Sequence, residues 1–432
     1  MTAGLSFTPL LAVALIAVAA PFFARAIPKV KVPAVVVEIV AGIVVGPSVL
    51  GWVEVDAPIA VLALVGLAFL LFLAGLEIDL MRLRGDLLRL PLLGFGVTLV
   101  LGMAAGLTFG VLGWVRNPLF LAVALAATSL GLVVPVLKDA GAADGRLGQM
   151  TIAGATVADF GAVILLSLLF SGTEGGITSQ LVTFGLFLAV VAAVGASLVR
   201  AGRSVRVDAV LVQLQDTTAE IRVRIAVALL IGFVALAASV GLETILGAFL
   251  AGAVLGLVDR DGMSHPHFRL KLDAIGYGFL IPVFFVASGL RFDLAALTGS
   301  PSALARVPLF LLALLFVRGV PAVLYRRAMG RDPARVAALL QATSLPFIVT
   351  ATEIGMAVGV IEAATAAALV SAGLASVVLF PPLALARLRR LGAEGADGAD
   401  EAGAATPAPG RQMPTIRPAG ETEHRYVRTE GT

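Results

Sequence analysis

The chain has 432 residues, of which 59% are hydrophobic and 14% are charged. A soluble globular protein carries about 25% charged residues, so this composition excludes a soluble protein of this length and indicates an integral membrane protein. The formal net charge is +3, but the basic residues are spread over short segments, which argues against a nucleic-acid-binding face. The absence of cysteine excludes disulfides and thiolate metal sites, and we expect no cofactor.

Apolar segments follow one another along the chain, and most have about the 20 residues that a helix needs to cross a bilayer. They predict an all-α integral membrane protein of about thirteen transmembrane helices, at about 5–24, 33–50, 57–77, 88–113, 117–137, 147–170, 178–199, 222–240, 243–258, 273–290, 303–327, 336–358 and 363–386. The Ala-, Gly- and acid-rich residues 391–432 predict a disordered cytoplasmic tail after a transmembrane domain at 1–390.

The basic residues predict the topology. When alternate loops are assigned to opposite sides of the membrane, twenty basic residues in six loops lie on one side and only Arg116, Arg291 and Arg306 on the other. Because cytoplasmic loops carry an excess of Lys and Arg, this bias predicts that the N-terminus is outside and the C-terminus cytoplasmic. A signal peptide over the first segment is disfavoured, since no basic residue precedes it.

Three short sequences recur in the same order in the two halves of the chain. They are EIVAG at 38–42 and ETILG at 243–247, GLEIDL at 75–80 and GLRFDL at 289–294, and ATSL at 127–130 and 342–345. The matched spans are the second and ninth, the third and tenth, and the fifth and twelfth. The two members of each pair are seven positions apart in the order of spans. Because seven is odd, they cross the membrane in opposite directions. The sequence therefore predicts an inverted repeat, an architecture typical of secondary transporters.

Each ATSL segment runs into residues that interrupt helices. The first is followed by Gly131 and Pro135, and the second by Pro346. Proline removes a backbone donor, and interrupted helices at corresponding positions of two halves indicate a substrate site. We therefore expect two discontinuous helices whose backbone groups solvate an ion, although ordinary proline kinks are an alternative.

Two ionisable residues, Asp159 and Arg318, lie deep within predicted spans, where a charge is costly and indicates function. Burial disfavours the charged form of a carboxyl group, so Asp159 can hold either a proton or a bare monovalent cation. Thr128, Ser129 and Thr156 are candidate oxygen ligands for the cation, and Arg318 is a candidate charge partner. A structural Asp–Arg pair that only joins two helices is the alternative.

Other polar residues are weaker candidates. Ser344 in the second ATSL segment and Glu353 toward the outer end of its span are secondary candidates for the ion pathway. The remaining acidic residues near predicted helix ends are expected to cap helices or pair in loops; they are Glu38, Glu77, Asp79, Glu243 and Asp293.

Together these segments resemble the monovalent cation:proton antiporter-2 family of the cation/proton antiporter superfamily, over about residues 5–390. The resemblance is carried by EIVAGIVVGPSVLGW, LLFLAGLEIDL, ATSLGLVVPVLKDAG, GAFLAGAVLG, IPVFFVASGLRFDL and ATSLPFIVTATEIG. It implies a homodimer in the cell (inner or plasma) membrane with two crossed discontinuous helices. It also implies a mobile core at about 57–170 and 273–386 and a dimerisation, or panel, domain at about 5–50 and 178–258.

The same resemblance implies exchange of Na⁺ or K⁺ for H⁺, with Asp159 as the ion-binding aspartate and Arg318 as the family's basic residue. Similar proteins have Asp-Asp, Asn-Asp or Gln-Asp at this point, whereas this chain has Ala158 before Asp159. A single carboxylate favours one proton per cation and electroneutral exchange. A Kef-like potassium-efflux system is the alternative function. An intramembrane enzyme is disfavoured, because the spans contain no HExxH or GxSxG motif.

Overall fold

The computed structural model describes residues 7–26, 32–77, 85–170, 177–202, 220–258 and 266–404. All regular structure in these ranges is helical, as predicted. The α-helices are α1 Thr8–Ala26, α2 Ala34–Val45, α3 Ala57–Leu76, α4 Asp86–Val111, α5 Pro118–Ala124, α6 Leu130–Asp139, α7 Arg146–Phe170, α8 Ile177–Gly202, α9 Ile221–Ser239, α10 Thr244–Val258, α11 Pro266–Ile275, α12 Ile281–Leu290, α13 Leu294–Thr298, α14 Pro301–Leu314, α15 Arg326–Met329, α16 Arg331–Gln341, α17 Pro346–Ala357 and α18 Ala363–Ala404. A π-helical turn at Gly276–Leu280 joins α11 to α12, and a second at Leu315–Gly319, followed by a 3₁₀ segment at Val320–Tyr325, continues α14.

Every predicted apolar segment contains a helix or a pair of helices in the structure. Within the described ranges, nine helices are long and apolar enough to cross a membrane. The pair α16 and α17, bent by 42°, makes a tenth candidate span, and α2 and α10 are shorter apolar helices. The remaining segment, at 117–137, consists of the short helices α5 and α6.

The last helix extends past the predicted end of the transmembrane domain. The chain divides into one compact unit through Leu388 and a second from Arg389 onward. In the second unit α18 continues to Ala404, where we expected an irregular tail from 391. Alanine and glutamate, which favour helices, recur in this stretch. Residues 405–432 lie outside the described residues.

Side-chain caps fix the start of several helices. The Asn117 side chain accepts from the backbone N–H groups of Leu119 and Phe120 ahead of α5. Asp293 accepts from Ala296 N–H at 2.7 Å at the start of α13, so the capping role predicted for Asp293 is confirmed. These contacts satisfy N–H groups that have no partner inside the helix.

Glycine permits two close helix crossings that are related by the repeat. In one, Gly252 of α10 lies against the carbonyl oxygen of Phe72 in α3, and a β-carbon added at Gly252 would overlap that oxygen. In the other, Gly289 of α12 stands in the same relation to Ile39 of α2. These crossings join the third span to the ninth and the tenth span to the second, as an inverted repeat requires.

The helices pack into two groups, and the predicted division into a mobile core and a dimerisation panel stays a prediction. Two helices that the prediction places in the core, α3 and α12 (within 57–77 and 273–290), pack with predicted panel segments. In the structure α3 packs mainly against α10 and α12, and α12 packs mainly against α2 and α3. The physical reason is the pair of glycine crossings, which tie these helices to the panel segments. The panel group therefore contains α1–α3 and α8–α12, and the core group contains α4–α7 and α14–α18.

Candidate functional site

The two ATSL segments form the breaks of two discontinuous helices, and the breaks contact each other. The first lies between α5 and α6 and the second between α16 and α17. The backbone N–H of Ser129 donates to the carbonyl oxygen of Thr343 at 2.9 Å. The backbone N–H of Leu345 donates to Ser129 Oγ at 3.0 Å. The prediction of two crossed, interrupted helices is thus confirmed.

The first break is not caused by the proline that we expected to interrupt the helix. Pro346 occupies the first turn of α17, as expected for a proline that begins a helix. Pro135, in contrast, lies inside α6 and does not interrupt it. The irregular backbone precedes Leu130, where N–H groups donate to a side chain instead of to a helical carbonyl group.

That side chain is Asp159, which lies in the middle of α7. Its Oδ1 accepts from the backbone N–H of Thr128 at 2.9 Å, and its Oδ2 accepts from the backbone N–H of Leu130 at 3.3 Å. Hydrogen bonds to a carboxylate stabilise its charged form. A carboxylate has about four lone-pair sites, so each oxygen keeps capacity for a proton or a cation.

Arg318 is buried in the π-helical turn at Leu315–Gly319 and approaches the site through threonines. Its Nε and Nη2 donate to Thr128 Oγ1 at 2.9 and 2.6 Å, and its Nη1 donates to Thr98 Oγ1 at 3.1 Å. The Thr128 hydroxyl in turn donates to the carbonyl oxygen of Gln341 at 2.6 Å. Arg318 therefore contacts α4 and the first break directly, and Thr128 connects it to the end of α16 just before the second break.

No ion pair links Arg318 to Asp159 among the ion pairs of the described residues. The guanidinium group and the carboxylate bind the same residue, Thr128, at its hydroxyl and its backbone N–H. The alternative of a direct Asp–Arg pair that joins two helices is therefore not what the structure contains. The two charges are coupled through one threonine.

A cavity of about 570 Å³ lies between the two helix groups and reaches Asp159. The core group contributes Asp159, Thr128 and Ser129 to its wall. Apolar side chains of α1, α3 and α12 form most of the opposite wall, and the cavity extends to Pro33 at the start of α2. A polar patch at the end of an apolar cavity is the usual form of a small-ligand site.

Three polar residues of the panel group also line this cavity: Glu38 in α2, Glu77 at the end of α3 and Tyr277 in the π-helical turn at Gly276–Leu280. Sequence reasoning assigned the two glutamates to capping or loop pairing and did not consider the tyrosine. Glu38, however, lies inside α2. The signal that could have identified it is a carboxylate within an apolar segment, the same signal that identified Asp159.

The remaining candidates are not among the residues that line the cavity. Thr156 is buried one turn earlier on α7, but it lies outside the cavity wall. Ser344 is buried in the second break, where its backbone N–H donates to Ser376 Oγ at 3.1 Å. Glu353 pairs with Arg291 at 3.2 Å. Thr156, Ser344 and Glu353 thus are not grouped with Asp159, Thr128 and Ser129 around the cavity. Asp79 lies outside the described residues.

Comparisons with known proteins identify the family of the chain. Residues 12–385 match the family described as "Sodium/hydrogen exchanger, transmembrane". The chain is 30% identical to "Putative Na(+)/H(+) antiporter YjbQ" of Bacillus subtilis over 79% of this chain and 57% of the relative. It is 30% identical to "Na(+)/H(+)-K(+) antiporter GerN" of Bacillus cereus over 60% of this chain and 65% of that protein. It thus spans less than two thirds of either relative.

The fold is similar to that of a solved structure, the sodium proton antiporter MjNhaP1 from Methanocaldococcus jannaschii at pH 8. The TM-score is 0.63 and the sequence identity 16%, with 89% of this chain and 99% of the other covered. The similarity confirms the fold predicted from the sequence.

Proposed function

Since the chain belongs to the sodium/hydrogen exchanger family, a family of membrane transporters, we propose that it exchanges Na⁺ or K⁺ for H⁺ by alternating access, with Asp159 as the carrier. The observation that supports this most directly is the position of the carboxylate. Asp159 lies where two broken helices meet and faces a cavity. Broken helices at this point are the usual substrate site of an inverted-repeat transporter.

The chemistry of exchange follows from competition for one carboxylate. Two backbone N–H groups hold Asp159 in place and leave lone pairs for a ligand. A proton and a cation both neutralise the carboxylate, so binding of one displaces the other. Ser129, which lines the cavity, is our candidate for a neutral ligand of the cation. Such a site transports only when occupied, because an uncompensated buried charge is costly to move.

We further propose that exchange is electroneutral. Ala158, the residue before Asp159, is fully buried and carries no ionisable group. One carboxylate at the meeting point of the breaks then carries either one proton or one monovalent cation. In proteoliposomes, a membrane potential imposed with a potassium ionophore should leave the rate of sodium-driven proton exchange unchanged. A rate that follows the potential would contradict this stoichiometry.

The direct test uses inverted membrane vesicles that are acidified and loaded with a pH-sensitive dye. Adding NaCl, LiCl or KCl should dissipate the gradient with the wild-type protein, and Asp159→Asn should abolish the response. Glu362→Gln is a suitable control, because Glu362 is exposed and pairs with Arg116 away from the cavity. No wild-type response to any of the three salts between about pH 6 and 9, or full activity of Asp159→Asn, would exclude the proposal.

The resemblance to antiporters also supports two proposals on assembly. We propose that the chain forms a homodimer in the cell (inner or plasma) membrane, through helices of the panel group, and that its C-terminus is cytoplasmic. The outer faces of α1 and α8 in this group are apolar and exposed. Chemical cross-linking in native membranes should give a species of twice the monomer mass, and a monomer alone would contradict the dimer.

A further inference from the structure

Glu38 is a buried carboxylate for which the proposed mechanism has no use. Its side chain is 5% exposed and lines the cavity that reaches Asp159. Within the part of the chain that the structure describes, Glu38 has no hydrogen bond or ion pair. An acidic side chain in this position is costly unless it binds something.

A structural role in α2 does not account for Glu38. The helix begins at Ala34 after Pro33, and no side chain caps its first turn. Glu38 is the fifth residue of the helix, too far along to accept from the free N–H groups at the start. Its neighbours Val36 and Ile39 are buried and apolar. The side chain is therefore oriented into the cavity without a partner from the helix.

The surroundings of Glu38 are suited to a cation. Glu77 and Tyr277 line the same cavity, so two acidic residues and a tyrosine of the panel group border the space that reaches Asp159. Oxygen atoms are the ligands that hard cations prefer. Acidic groups in a cleft with apolar walls also raise the local concentration of cations.

We propose that Glu38 is a second monovalent-cation-binding residue, which takes up the ion within the cavity before it reaches Asp159. This inference rests on the proposed function, because it assigns a step to the same pathway. Glu38 belongs to the panel group and Asp159 to the core group, so the two residues border the cavity from different helix groups. The cation then passes from one helix group to the other as it enters.

The repeat provides a matched control. Glu243 occupies the position that corresponds to Glu38 in the second half of the sequence, but it precedes α10 and does not line the cavity. Glu38→Gln and Glu243→Gln make the same chemical change at related positions. Only Glu38→Gln should affect cation uptake.

The first experiment measures exchange at increasing NaCl or KCl concentration in vesicles whose cavity side faces the added salt. Glu38→Gln should raise the half-saturating cation concentration by about 5- to 10-fold, as expected for loss of one carboxylate from a cation pathway, and higher salt should largely restore the rate. Glu243→Gln should match the wild type. An unchanged half-saturating concentration in Glu38→Gln, or an equal rise in Glu243→Gln, would overturn the assignment.

The second experiment measures binding without transport. Purified protein in detergent is heated in NaCl, KCl or choline chloride, and the rise in unfolding temperature above the choline control reports cation binding. Asp159→Asn should keep part of the rise, and Asp159→Asn/Glu38→Gln should lose it. If Asp159→Asn alone loses the whole rise that the wild type shows, Glu38 does not bind the cation.

The two experiments separate this inference from the proposed function. If Asp159→Asn still binds the cation and this binding needs Glu38, the second site is supported even when vesicles show no exchange. If vesicles show exchange and Glu38→Gln has no effect on it, only the proposed function is supported. Where Glu38→Gln does not fold, Glu38→Asp provides the measurement. In the Asp159→Asn background it keeps the carboxylate on a shorter side chain and should give a smaller, cation-specific rise than Asp159→Asn alone; an equal rise in these two folded variants would contradict the proposal.

Discussion

At the residue scale, Thr128 is the point at which the site is joined together. Its backbone N–H binds Asp159, while its hydroxyl donates to Gln341 and accepts two hydrogen bonds from Arg318. A hydroxyl oxygen has two lone pairs, and Arg318 occupies both. We predicted Thr128 as a cation ligand from the sequence; the geometry instead favours a positioning role for its side chain.

This role predicts the effect of removing the hydroxyl. Thr128→Val keeps the shape of the side chain but leaves two donors of buried Arg318 without an acceptor, which costs about 1–3 kcal/mol of folding free energy. We expect a lower unfolding temperature and at least a tenfold lower exchange rate, because the first break loses its hydrogen bonds to Arg318 and to the carbonyl oxygen of Gln341. Thr128→Ser keeps the hydroxyl and should retain most of both. Equal behaviour of the two variants would contradict the role.

The sequence predicted some of these residues and not others for a physical reason. Asp159 and Arg318 stand out because each is a charge in the middle of an apolar segment. Glu38 carries the same signal but lies near the predicted end of its segment. If the predicted start of the helix is wrong by a few residues, a side chain that lines the cavity is mistaken for a helix cap. The contact of Thr98 with Arg318 could not be predicted, since a threonine in an apolar span gives no signal until its neighbour in space is known.

At the element scale, the duplicated ATSL sequence located both breaks closely. What it did not reveal is why the helix stops. Residues Thr128 and Leu130 direct their N–H groups to Asp159 on another helix, so the interruption depends on a contact 29 to 31 residues away. Pro135 is a local signal and was misleading, because a proline inside a helix can be accommodated when neighbouring helices support it.

The glycine crossings also belong to this scale and give a prediction. Gly252→Ala would place a methyl group on the carbonyl oxygen of Phe72, so α3 and α10 must separate. We expect a loss of about 1–3 kcal/mol of folding free energy, as for other overpacked contacts. Thermal unfolding in detergent, followed by tryptophan fluorescence, measures the shift.

The control for this variant is Gly232→Ala in α9. A β-carbon at Gly232 meets no atom within 4 Å, and alanine favours a helix over glycine by roughly 0.5–1 kcal/mol. Its unfolding temperature should be unchanged or slightly raised. A similar decrease in both variants would indicate that the crossing of α3 and α10 is not a close contact.

At the scale of the whole molecule, contacts between distant segments divide the loops into two sets. One set is joined by the ion pairs Arg116–Glu362 and Arg291–Glu353, and the other by Arg146–Asp86 and Lys271–Glu220. These are the same two sets that the basic residues define in the sequence, although several of those residues lie outside the described ranges. The assignment of successive loops to alternate sides of the membrane was predictable, because it requires only that the spans be counted correctly. The packing of α3 and α12 with the panel segments was not, because it depends on contacts between the two halves.

The two sets of loops lead to a prediction of orientation. The chain has no cysteine, so a single introduced cysteine reports which side of the membrane it faces. Ser302 at the start of α14 and Asp144 between α6 and α7 are both exposed and belong to opposite sets. Because loops rich in Lys and Arg stay in the cytoplasm, a membrane-impermeant maleimide should label Ser302→Cys in intact cells and Asp144→Cys only after permeabilisation. Both variants should first be shown to retain exchange. The reverse labelling pattern would place the cavity that reaches Asp159, which extends to Pro33 at the start of α2, on the outer side of the membrane. The cation would then enter from that side instead of from the cytoplasm.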